Sequence, residues 1–177
     1  MLLRLVALDP AAAMVFSTLA ESVASIVPWQ VEATRTVTQP REPEQPGQRD
    51  AREAVSQLPR GGGGTLVIGI TDTDLTATGY EFVFGYALPD RSAAIVSLHR
   101  LRDMPPHEWA KDIALNERAT KEILHEAGHL LKLQHCPDPM CVMHYSQTLH
   151  DTDRKSERFC AHCARELSRL PEGPHEA

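Results

Sequence analysis

Two hydrophobic periods organise this chain. Leu3 to Leu8 is a short, nearly unbroken apolar run, the pattern of a buried strand. Asp9-Pro10 follows, with Asp9 suited to cap a helix and Pro10 to its first position. Met14, Leu19, Val23 and Ile26 give that helix an apolar stripe, and Pro28 ends it. Val31 to Val37 alternates weakly and predicts a second strand, whereas Thr38 to Asp50 is nearly devoid of apolar residues and reads as a linker or loop. Ala51 to Leu58 predicts a short helix, and the flexible turn Gly61 to Gly64 leads into the clearest buried strand, Thr65 to Ile70. Asp72 to Thr78 is a polar connection. Glu81 to Leu88 and Ala93 to Leu101 predict two further strands joined by the turn Pro89-Asp90-Arg91. Ile113 to Leu133 then predicts one long helix, with Ile113, Leu124 and Leu131 among its apolar positions. Beyond Gln134 no regular structure is predicted until a final helix near Ala161 to Leu170.

A chain of 177 residues predicts one compact domain with two lobes around a cleft. The net charge of −6 and an aromatic share of only 5% argue against nucleic acid and anionic membranes as partners. The apolar stretches are too short to span a bilayer. Asp9-Pro10 and Glu21 interrupt the apolar core that a signal peptide needs, so a cytoplasmic protein is expected; a monomer is expected as well. The glycine run precedes a strand rather than a helix, unlike a phosphate-binding loop.

The chemistry concentrates between Thr120 and Cys163. His125-Glu126-Ala127-Gly128-His129 places two histidines four apart on the predicted helix, about 40° from each other around its axis, so both imidazoles can meet one ion. His135 follows and supplies a third nitrogen. Three protein ligands and one open position are the pattern of catalytic rather than structural zinc, and Glu126 beside the first ligand suits a general base. Cys136, Cys141, Cys160 and Cys163 have the spacing of a four-thiolate structural zinc site. Two disulfides or free buried thiols are the other readings, and an intracellular setting disfavours the disulfides.

With these residues in view, the sequence resembles the archaemetzincins, a branch of the metzincin clan of zinc metallopeptidases. The resemblance is carried by His125 to His129 with His135-Cys136, by Cys141-Val142-Met143 and by Cys160-Ala161-His162-Cys163. Phe84 to Ala87 and Ala94 to Leu98 look like the strands that precede the active-site helix in that family. The resemblance implies an α/β fold, α+β-like in its mixed sheet with helices, and a cleft between two small lobes. The upper lobe would be residues 1–133 and the lower 134–177. It implies two zinc ions per chain, one on the histidines and one on the cysteines, with Met143 in the turn beneath the first. It also implies peptidase activity, aminopeptidase-like or of limited endopeptidase type, on a peptide or protein substrate. One position departs from the pattern: metzincins have glycine three residues after the second histidine, and here it is Lys132. A lysine forced to positive φ costs on the order of 1 kcal/mol.

Two rival readings stand beside this one. In the first, the metal sites only stabilise a non-catalytic binding module. In the second, Glu157 or Glu166 replaces His135 as third ligand. The strand Ala93 to Leu101 is expected to offer its edge to an extended substrate. His99 and His107 are candidates to line the cleft; His144, His150 and His162 read as solvated or hydrogen-bonded residues, and Asp151, Asp153 and Lys155 as a polar loop.

Overall fold

A computed structural model of the chain describes residues 1–34, 47–103 and 110–169. Its centre is a five-stranded sheet in the order β2-β1-β4-β7-β6. These strands are β1 (Leu2–Ala7), β2 (Gln30–Thr34), β4 (Thr65–Thr71), β6 (Gly85–Leu88) and β7 (Ala93–Ser97). β1 runs parallel to β2 and β4, and β4 parallel to β7, while β6 closes one edge antiparallel to β7. The apolar runs of β1, β4 and β7 are nearly continuous because both sheet faces are covered. Leu3, Leu5, Leu66, Ile68, Ile70, Ala94 and Val96 face one core, shared with helices α1 (Pro10–Ile26) and α3 (Lys111–Leu130). Val6, Val67, Ala93 and Ile95 face the other, covered by α2 (Ala51–Ser56). The α/β class and the mixed sheet are therefore as expected.

Asp9 does cap α1: its Oδ1 accepts from the Ala12 amide at 2.8 Å, and its Oδ2 accepts from Thr71 Oγ1 and the Asp72 amide at the end of β4. The expected stripe on α1 needs correction. Met14 is 86% exposed, and Ala12 and Phe16 line the buried face with Leu19 and Val23. Ile113 in α3 is likewise exposed. The predicted linker Thr38 to Asp50 is described only from residue 47. There Gln48–Asp50 forms β3, which pairs in parallel with β5 (Asp74–Thr76), a strand inside the supposed polar connection. A bidentate contact of Arg100 with Asp74 at 2.8 Å, and Gln48 Nε2 donating to Asp74 at 3.0 Å, hold this small sheet together. Such short polar strands carry no hydrophobic period for a sequence reading to detect.

The predicted strand Ala93 to Leu101 ends at Ser97 and continues as a 3-10 turn at Arg100–Arg102. It also has no free edge, because β4 and β6 flank it on both sides. The edges of the sheet are β2 and β6, and β6 is shorter than the predicted Glu81 to Leu88. Helix α4 (Leu149–Arg154) occupies the segment expected to be irregular, and α5 (Ala161–Ser168) ends the described chain. No helix among the described residues is long and apolar enough to cross a membrane.

Candidate metal centre

Helix α3 is buried on every side over its second half. One face meets the sheet and the other meets the segment that follows the helix, so Arg118 to Gly128 are all buried. His125 and His129 project from this stretch. The chain leaves the helix through a C-cap in which the Leu133 amide donates to Gly128 O at 3.0 Å and the Lys132 amide to His129 O at 2.9 Å. This two-bond closure needs a left-handed residue between helix and exit. Lys132 supplies it with φ 68°, doing the work of the expected glycine. The reversal brings His135 back, and the three Nε2 atoms meet: His129 lies 3.1 Å from His125 and 3.2 Å from His135.

The protons on two of these rings are fixed by their outer partners. His125 Nδ1 lies 2.8 Å from Val142 O, and His129 Nδ1 lies 2.9 Å from Leu133 O. A carbonyl only accepts, so each Nδ1 carries the hydrogen and each Nε2 offers a lone pair inward. Burial, followed by the nearby Lys155 charge, holds His125 well below the usual imidazole range. Burial also lowers His129 and His135. The trio is thus kept neutral, the state in which imidazole binds a metal. Glu157 and Glu166 are not part of this group.

Glu126 faces the opposite problem. Burial, reinforced by the Glu122 carboxylate, pushes its carboxyl well above the usual range, and Lys155 offsets part of that. It lines a cleft of about 680 Å³ together with Glu122, the three histidines, Tyr145 and residues 79–87, which include most of β6. Gly85 is the close neighbour: a Cβ added there would lie 2.5 Å from Glu126 Oε1. Across the helix, Met143 is fully buried and packs so closely on Gly128 that an added Cβ would overlap its sulfur.

Four thiols form a second group. Cys136 Sγ lies 3.7 Å from Cys160 Sγ, and Cys141 Sγ 3.7 Å from Cys163 Sγ. Tetrahedral zinc with Zn–S of about 2.3 Å separates sulfurs by roughly 3.8 Å, whereas a disulfide needs about 2.05 Å. All four cysteines are free, and their sulfurs lie within 4.8 Å of one another. Hydrogen bonds from the Cys163 amide and others lower the Cys160 thiol to about 7. Burial raises Cys136 and Cys163.

Residues 60–169 match the family model described as Peptidase family M54. The chain belongs to that family. Among its M54 relatives, the archaemetzincin of Pyrococcus furiosus is 46% identical over 101 residues, 57% of this chain and 53% of the relative. The chain thus spans about half the length of that curated relative. A solved structure described as a zinc-dependent peptidase from Methanocorpusculum labreanum superposes with a TM-score of 0.82 at 26% identity, covering 93% of this chain and 99% of the other. The archaemetzincin of Methanopyrus kandleri gives 0.75 at 35% identity, covering 96% and 94%. The resemblance read from the histidine and cysteine motifs is the family relationship found.

Several residues around this M54 centre were not legible beforehand. Lys155, read as part of a polar loop, is fully buried, with its Nζ 2.9 Å from Glu122 Oε1. The angles do not meet hydrogen-bond geometry, so charge carries the contact. Arg118 grips Asp153 in bidentate fashion at 2.6 and 2.8 Å, and Lys121 donates to the carbonyls of Thr152 and Asp153 near the end of α4. Arg118, Lys121 and Glu122 lie on one side of α3 at helical spacing, a pattern that reads as a solvated face until α4 is seen to cover it. Asp151 belongs to the capping box of α4 with Thr148. His99 is exposed and is not among the cleft-lining residues, and His107 lies outside the described residues. His144 Nδ1 pairs with Cys136 O at 3.0 Å, a hydrogen-bonded role as expected.

Proposed function

We propose that the chain is a zinc-dependent peptidase. In this reading His125, His129 and His135 hold the catalytic zinc, Glu126 is the general base, and Cys136, Cys141, Cys160 and Cys163 hold a second, structural zinc. The observation that carries it is the convergence of three Nε2 atoms, two of them on rings, His125 and His129, held by carbonyls behind them. Nitrogens on tetrahedral zinc stand roughly 3.3 Å apart at Zn–N of about 2.05 Å, close to the spacing observed here. Zinc at such a site polarises a peptide carbonyl and acidifies water.

The chain's own residues supply the rest. Glu126 is adjacent in sequence to a ligand but outside the ligand group, so its carboxylate is free to take a proton from the attacking water. Protonated at Oε1 or Oε2, it then gives that proton to the leaving amine. The open edge of β6 offers amides and carbonyls to an extended peptide. Met143 sits under the histidines as a packing support, and the four thiolates tie Cys160 and α5 to the segment that carries His135. The lining residues between Gly79 and Leu133 then belong to the upper lobe and those from Gln134 to Gln147 to the lower.

Metal analysis and a peptide-library digest test this together. The expected result is two zinc ions per chain and cleavage that stops on chelation. Glu126→Gln should keep both ions and lose turnover. If Glu126→Gln cleaves as fast as the parent, the base is misassigned. If the two-zinc parent cleaves nothing in the library, the binding-module reading takes its place.

A further inference from the structure

Lys132 holds a left-handed backbone that glycine would adopt without strain. Fold stability does not account for its side chain. The side chain is 64% exposed, and the acid it pairs with, Asp90, lies 3.8 Å away and is itself wholly exposed. A pair so open to solvent contributes little.

Its place is more informative. Lys132 lines the same cleft as the three histidines and Glu126. Asp90 lies in the 3-10 turn Pro89–Arg91, immediately beyond the end of β6. The two side chains therefore reach toward each other past the end of the edge strand. Gly85, at the strand's start, touches Glu126. Among the described cleft-lining residues Lys132 carries the one fixed positive charge. Glu122, a buried carboxylate of the cleft, is already matched by Lys155. An ammonium at the rim with only a weak, solvated partner is placed to receive a carboxylate from a molecule lying along β6.

We propose that Lys132 forms a subsite for a carboxylate on the peptide substrate, either an acidic side chain or a free terminal carboxylate. A strand rises about 3.3 Å per residue, so the distance from Gly85 to Leu88 puts this subsite roughly two to three residues from the reacting bond. The subsite would make the enzyme discriminate by charge. This inference rests on the peptidase reading of the cleft, and its test separates the two.

The test measures binding rather than turnover. Zinc-loaded Glu126→Gln protein is titrated with fluorescent peptides of one neutral sequence. One set is amidated, with Asp placed at each position in turn; another has a free terminal carboxylate; a third carries Lys instead. With Lys132 present, one acidic position or the free acid should bind roughly threefold to tenfold tighter than the neutral amide, and added salt should erase the difference. Preference among the amidated peptides assigns a side chain, and preference for the free acid assigns a terminus. Lys132→Gly, which suits the backbone, should remove the preference, and Lys132→Glu should transfer it to Lys-containing peptides. Binding with the same acidic-to-neutral ratio in Lys132→Glu overturns the subsite and leaves the peptidase reading standing. Binding of no peptide at all removes both.

Discussion

Glu126 of α3 is seated against the bare α-carbon of Gly85 in β6, so close that a methyl group on Gly85 would fall 2.5 Å from Oε1 and 2.7 Å from Cγ. The edge strand and the carboxylate thus share one small space, which ties the wall of the cleft to the position of the Glu126 carboxylate. Gly85→Ala should force Glu126 out of place without touching a metal ligand. The expected outcome is unchanged zinc content with kcat lowered by about 10²-fold in the peptidase assay, the scale of a displaced acid–base group. A variant with normal kcat would mean that the carboxylate position is not critical.

The buried pair Glu122–Lys155 joins the same helix to the end of α4, 4% and 0% exposed. Removing one partner leaves the other charged in the interior. Lys155→Met should cost about 3–5 kcal/mol in denaturant unfolding of the zinc-loaded protein, and the double variant Glu122→Leu/Lys155→Met should recover most of it. Equal losses in the single and double variants would show that packing, not charge, is what Lys155 provides.

Proton linkage gives the zinc-free protein a pH dependence of predictable sign. The folded-state pKa values of His125, His129 and His135 are lowered by burial, so their contribution is fully present above the unfolded value near 6.5 and is lost as pH falls through the folded values. Glu126 is raised, so it has the opposite sign: its contribution is present below the unfolded value near 4.5 and fades as pH rises through the folded one. Glu126→Gln removes the opposing group, so the Tm of that chelated variant should drop between pH 6.5 and 5, and more steeply than that of the chelated parent. A Tm flat or rising toward acid in this range would contradict the buried, neutral state of the histidines.

Lys132→Gly should leave the C-cap of α3 intact and relieve the strain of φ 68°. The expected gain is roughly 0.5–1 kcal/mol in thermal unfolding, less whatever the more flexible unfolded chain takes back. A loss of more than about 1 kcal/mol would mean that the lysine side chain contributes contacts beyond its exposed pairing with Asp90.

Cys163→Ser removes one of four thiols that lie within 4.8 Å of one another. One zinc per chain should remain, and amide exchange in α5 should become rapid, because little besides the thiol cluster and a few apolar contacts holds that short helix. Two retained zinc ions would place the second ion elsewhere.

The sequence by itself determined where the chemistry lies. Helical spacing of His125 and His129, the return at His135 and the two cysteine pairs are local patterns, and local geometry is enough to bring such residues together. The strands β1, β4 and β7 were legible for a related reason: each is an apolar run buried on both faces. What only the tertiary structure decided was pairing between distant segments. It put β6 rather than β7 at the edge, folded Gln48–Asp50 and Asp74–Thr76 into a second sheet, and covered the charged side of α3 with α4, so that Glu122 and Lys155 meet in the interior. Period and spacing report what a residue's near neighbours do along one element. They carry no information about which remote charge will neutralise it, or which strand will cover an edge, because those outcomes depend on contacts formed across the whole fold.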